Sequence, residues 1–72
     1  MSSPPARFAE NLRRHRELAG LTQMQLANAS DLHPDEVGKL ERRERTPRLD
    51  TIVALSRALG MASVEELVEG VG

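Results

Sequence analysis

The sequence predicts an all-α domain of five short helices, and three observations carry that prediction. The chain has 72 residues, 39% of them hydrophobic and 29% charged, which suits one small domain and no more. Its apolar residues recur three and four apart, with no stretch of strict alternation that would mark a strand. Capping residues and glycines punctuate the apolar runs where helices would start and stop. The composition also narrows the function. Without cysteine there is no disulfide framework and no thiolate zinc site, and two histidines make a poor ligand set, so no metal site is expected. One Phe and no Trp or Tyr cannot build the stacking platform of a single-strand binder. No apolar run approaches the roughly 18 residues of a membrane span, and no secretory pattern opens the chain, so a cytoplasmic protein with no membrane partner is expected. A domain this small encloses no deep pocket, so neither an enzyme nor a cofactor is expected. The net charge of −1 argues, at first sight, against nucleic acid.

Residues 1–5 read as a disordered lead, because Ser2, Ser3, Pro4 and Pro5 offer no core. The folded domain is expected over 6–70. Phe8, Leu12, His15 and Ala19 fall on one helical face, and Gly20 stops that first helix. His15 is expected at the edge of the core. Thr22 and Gln25 form a capping box flanked by a Leu21/Leu26 staple, so the second helix starts at Thr22 and runs to about Ser30. Pro34 fits the first position of a third helix, with Asp35 and Glu36 at its positive end and Val37 and Leu40 facing the core. Gly38 in its middle costs about 1 kcal/mol against Ala. A polar loop over 43–47 leads to a fourth helix carrying Leu49, Ile52, Val53, Ser56 and Leu59, stopped by Gly60. Ser63 and Glu66 form a second capping box, opening a fifth helix with Val64, Leu67 and Val68 on its apolar face.

The second and third helices are short and closely joined, the arrangement of a helix-turn-helix, whose second member lies in the DNA major groove. Spacing alone is a weak signal. The motifs Gly20-Leu21-Thr22-Gln23, Leu26-Ala27, Leu32, Val37-Gly38-Lys39-Leu40-Glu41-Arg42, Thr46-Pro47-Arg48-Leu49 and Leu55-Ser56-Arg57-Ala58-Leu59-Gly60 make it specific. In that order and spacing they resemble the phage repressor/Cro-like (xenobiotic-response-element-type) helix-turn-helix regulators. The resemblance spans about residues 7 to 69 and implies a lambda-repressor-like fold.

It also implies roles. Gln23 takes the position that holds a DNA phosphate at the start of the second helix, where an amide beside free backbone N–H groups suits an anion; the alternative is an ordinary helix-start residue. His33, Pro34, Asp35, Glu36 and Lys39 take the base-facing positions. Pro34 has no side-chain donor, and the two carboxylates either accept from cytosine amino groups or serve only the helix dipole. Lys39 suits a guanine edge or a phosphate. His33 either reaches a phosphate or acts as a poor N-cap. Arg42, Arg43, Arg45 and Arg48 fall where the family's loop follows the DNA backbone; the alternative is a solvated loop. By the same pattern Arg16 and Glu41 pair between the first and third helices, structurally rather than as a ligand site. Asp31 stands where a turn glycine is common, at a site that often needs positive φ.

The favoured reading is a sequence-specific double-stranded DNA-binding transcriptional regulator. It binds as a homodimer on half-sites roughly 34 Å apart, with Val64, Leu67, Val68 and Val71 as the dimer surface unless the core uses them. Two other readings stand beside it: a protein-interaction module on the same fold, such as an antitoxin or adaptor half, and the DNA-reading fragment of a longer sensor protein. Resolved along the chain, the objection from net charge becomes local: Asp35 and Glu36 at the tip of the reading helix predict modest non-specific affinity. Residues 39–48 carry +3, and residues 65–69 hold three of the acidic groups.

Overall fold

Residues 4–61 and 64–69 are described by a computed structural model, Pro4 and Pro5 through their backbone alone. Among them are four α-helices, α1 (Pro4–Leu18), α2 (Gln23–Ala29), α3 (Glu36–Glu41) and α4 (Leu49–Ala58), and a single 3-10 turn over Val64–Glu66. No described residue lies in a strand, and no helix is long and apolar enough to cross a membrane.

The predicted elements are present, with three differences. The first helix begins at Pro4 rather than Ala6 and so takes in part of the stretch expected to be disordered. The first turn of a helix donates no internal N–H bonds, so proline fits there without loss. The third helix begins at Glu36 rather than Pro34. Glu36 N–H bonds the His33 carbonyl at 2.9 Å, closing a turn over 33–36 before the α3 ladder starts with Lys39 N–H on Asp35 O at 3.1 Å. The fifth helix is only one 3-10 turn, in which Leu67 N–H and Val68 N–H both bond Val64 O. Its supposed cap Ser63 lies outside the described residues.

All four helices end alike. Gly20, Asp31, Arg43 and Gly60 each follow a helix with φ of 73°, 58°, 63° and 73°. In each case the residue after it folds back to an earlier carbonyl: Leu21 to Arg16, Leu32 to Ala27, Glu44 to Lys39, Met61 to Ser56, at 2.9–3.2 Å. These are Schellman ends, which satisfy the last carbonyls of the helix. Leu21, Leu32 and Met61, the residues that follow the left-handed positions of α1, α2 and α4, turn back onto the core.

That core is Phe8, Leu12, Leu26, Ala27, Val37, Leu40, Leu55 and Leu67. The α3 helix packs against both α1 and α2, and α4 packs against α2 and the 3-10 turn. Leu67 is fully buried. It therefore serves the core of its own chain and not a dimer surface, which corrects the expectation for that residue. Val68 also packs onto the core, Val64 is half-buried, and Val71 lies outside the described residues. Asn11, a buried polar residue of α1, donates its amide to Leu67 O at 3.0 Å and Glu69 O at 2.8 Å. It ties the segment after the 3-10 turn to the first helix.

Candidate nucleic-acid interface

The α2 N-terminus is set by the expected capping box. Thr22 Oγ1 accepts from Gln25 N–H at 3.0 Å, and Gln25 Oε1 accepts from Thr22 N–H at 2.9 Å. At the other end Asp31 takes its left-handed conformation, so the chain reverses and Leu32 drops into the core. The turn then delivers α3 with Val37, Gly38 and Leu40 buried, which leaves His33, Pro34 and Asp35 exposed and Lys39 half-exposed along one edge. His33 Nδ1 accepts from Asp35 N–H at 3.2 Å. It thus acts as the cap of the turn before α3.

The angle of α3 is held by a bidentate ion pair. Arg16 Nε and Nη2 reach the two carboxylate oxygens of Glu41 at 2.6 and 3.1 Å, and Arg16 Nη1 donates to Leu21 O at 2.9 Å. The side chains keep only 13% and 6% of their surface. The hydrogen bond to Glu41 raises the Arg16 pKa and outweighs the opposing effect of burial, so the guanidinium stays charged. Gln23 Nε2 also donates to Glu41 Oε1 at 3.1 Å. The residue expected on a phosphate is therefore joined to α3 by one of its two amide hydrogens, leaving the second for another acceptor.

Gly38 has a reason in this geometry. A Cβ there would stand 2.9 Å from Arg42 Nη1 and 3.1 Å from Gln23 Oε1. The missing side chain lets Gln23, from α2, and Arg42, from the end of α3, converge over one point of the recognition helix. Arg42 Nε also bonds Glu44 Oε2 at 2.5 Å. That hydrogen bond, aided by the charges of Arg42 and Lys39, holds the Glu44 carboxyl below its ordinary range. The same bond, aided by the negative charges of Glu44 and Asp35, raises the Arg42 pKa.

The remaining basic residues are not equivalent. Arg45 Nε lies 3.7 Å from Glu36 Oε1, whose side chain retains 17% exposure. Glu36 thus faces an arginine of the loop, which offsets part of its negative charge. Asp35 stays well exposed, its carboxylate 4.0 Å from His33 Nδ1. Arg43 occupies the left-handed position after α3, and Arg48 is the exposed residue before α4. A polar cleft between turn and loop is lined by Leu32, His33, Glu36, Arg45, Thr46 and Arg48, among others. The fold therefore brings Gln23, Lys39 and Arg42 to one side of α3, and His33, Glu36, Arg45 and Arg48 to another. Glu44 and Gly38 were not singled out from sequence as parts of this surface. The only signal for Glu44 was its position two residues after Arg42.

Residues 7–69 match the family model described as a helix-turn-helix domain. The chain belongs to this family. It is 43% identical over 61 residues to the control protein C.SmaI of Serratia marcescens, covering 85% of this chain and 71% of that one. Among solved structures it resembles the restriction-modification controller protein C.AhdI of Aeromonas hydrophila, with 36% identity, a TM-score of 0.83, and 88% and 94% of the two chains covered. It also resembles the hypothetical transcription factor NHTF from Neisseria, with 30% identity, a TM-score of 0.84, and 89% and 72% coverage. These relatives are regulatory proteins, and the chain is a helix-turn-helix DNA-binding transcriptional regulator.

Proposed function

We propose that this protein reads a specific duplex site with α3 in the major groove, as a cytoplasmic controller of transcription of the restriction-modification kind. Gln23, Lys39, Arg42, Arg43 and Arg48 contact the backbone, while His33, Pro34, Asp35 and Glu36 face base edges, and Arg45 supports Glu36. The observation that carries this reading is α3 itself. It is fixed on its inner side by Val37, Leu40 and the buried Arg16–Glu41 pair, and bordered on its outer side by the basic run of residues 39–48. A helix fixed on one side beside an exposed basic border is what direct readout with phosphate anchoring needs. The similarity to two controller proteins supports the regulatory role.

We further propose that two copies bind two-fold related half-sites about one helical turn apart. In vitro selection from random duplexes tests both statements, with the mass of the complex measured by analytical ultracentrifugation. Enrichment of a two-fold related sequence bound by two chains is expected. No enriched sequence, or binding only to a protein partner through a surface away from α3, would replace this reading with that of an interaction module.

A further inference from the structure

Of the Arg–Glu pairs at α3, two are joined by close hydrogen bonds, and burial separates them. Arg16–Glu41 is sequestered and bidentate, and its side chains are almost wholly covered. Arg42–Glu44 is open: the side chains keep 55% and 53% of their surface. The open pair is nonetheless set by the backbone. Arg43 turns the chain through its left-handed conformation, and Glu44 N–H then bonds Lys39 O at 2.9 Å. This brings Glu44 back over the last turn of α3, where its carboxylate meets Arg42 and feels the charge of Lys39.

We infer that Glu44 limits DNA affinity by acting as an internal substitute for a phosphate on Arg42. The inference rests on the placement of Arg42 at the DNA backbone proposed above. A carboxylate offers a guanidinium the same kind of anionic acceptor as a phosphate. Arg42 therefore exchanges one anion for another on binding, and the gain from its phosphate contact is reduced by the pair it gives up. Because the pair is exposed, it holds the arginine weakly enough for DNA to displace it. The buried Arg16–Glu41 pair is not exchangeable in this way, which is why the same two residue types act structurally there and as a brake here.

The test is a double-mutant cycle on duplex binding with Glu44→Gln, Arg42→Gln and both together, read by fluorescence anisotropy on a duplex selected with the wild-type protein. Far-ultraviolet circular dichroism checks that each variant is folded. In the presence of Arg42, Glu44→Gln should tighten binding by about two- to fivefold, the range expected for releasing an exposed pair. It should do markedly less in the Arg42→Gln background. An equal gain in both backgrounds would show that Glu44 acts only as a negative charge near DNA, and would overturn the inference. So would weaker binding by Glu44→Gln, which would make the carboxylate a productive guide for Arg42. If Arg42→Gln alone leaves affinity unchanged while the wild type binds, the placement of Arg42 on DNA fails first, and this inference falls with it. Those results are distinguishable, because the placement is read from one variant and the brake from the other.

Discussion

Arg43 offers a separation of stability from binding. It holds φ at 63° directly after α3, bonding Leu40 O through its N–H at 3.1 Å, in a conformation that an L-residue with a Cβ occupies at a cost of roughly 1–2 kcal/mol. Glycine removes that strain but frees the unfolded chain, which takes back roughly 0.4–1 kcal/mol. Arg43→Gly should therefore stabilise the fold by about 0.5–1 kcal/mol, raising Tm by about 2–8 °C for a domain of this size. Arg43→Ala keeps the Cβ and should leave Tm nearly unchanged. Both variants lose the same cation, so both should weaken duplex binding and reduce the slope of log K against log salt by about 0.9 if Arg43 holds one phosphate. Thermal unfolding by circular dichroism and anisotropy at several salt concentrations measure the two effects on the same samples. A comparison at Asp31, which holds φ at 58° away from the basic run, should show a stability gain on substitution by glycine without the binding loss. If Arg43→Ala stabilised as much as Arg43→Gly, the gain would come from charge and the backbone reasoning would be refuted.

Other expectations follow from single contacts. Glu41→Ala strands the mostly buried Arg16 and removes the partner of Gln23, so it should destabilise by about 3 kcal/mol, whereas Arg16→Met with Glu41→Leu should recover most of that in the same thermal assay. Asn11→Leu leaves the Leu67 and Glu69 carbonyls without their donor and should cost about 1–3 kcal/mol, with hydrogen exchange accelerated first near Leu67 and Val68; unchanged exchange there would contradict the tie between α1 and the chain's last described residues. Gly38→Ala meets only the ends of two flexible side chains, so stability should change by less than about 1 kcal/mol, with better helix propensity compensating the crowding. Duplex affinity should fall nonetheless, since Arg42 and Gln23 lose their shared seat, and unchanged affinity would show that this convergence plays no part in binding.

Elements with local causes were legible in the sequence. The Thr22–Gln25 capping box, the Gly20 and Gly60 stops and the positive φ of Asp31 each depend on a few neighbouring residues, and each is present. The Arg16–Glu41 pair followed from family resemblance, not from spacing, because its partners lie 25 residues apart. What could not be read depends on distant partners or on permissive positions. Asn11 looks like an ordinary polar helix residue until Leu67, 56 residues away, comes to it. The late start of α3 arises because the turn over 33–36 satisfies the first donors before a helix is needed. The fifth helix is one 3-10 turn over Val64–Glu66, with Leu67 and Val68 packed on the core just beyond it. Arg43 carries no sequence mark of its left-handed conformation, since arginine is not a turn residue. The net charge of −1 conceals the opposite halves of the Arg42–Glu44 and Arg45–Glu36 pairs, whose arrangement only the fold specifies.

In the function proposed above, α3 and its basic border bind duplex DNA. The most direct measurement is the salt dependence of duplex affinity for the wild type and for Arg42→Glu with Arg43→Glu. The wild type should bind with an affinity that falls steeply as salt rises, and the double reversal should abolish binding at low ionic strength while preserving Tm within a few degrees. Wild-type binding that ignores salt, or a reversed variant that still binds as tightly, would contradict the claim.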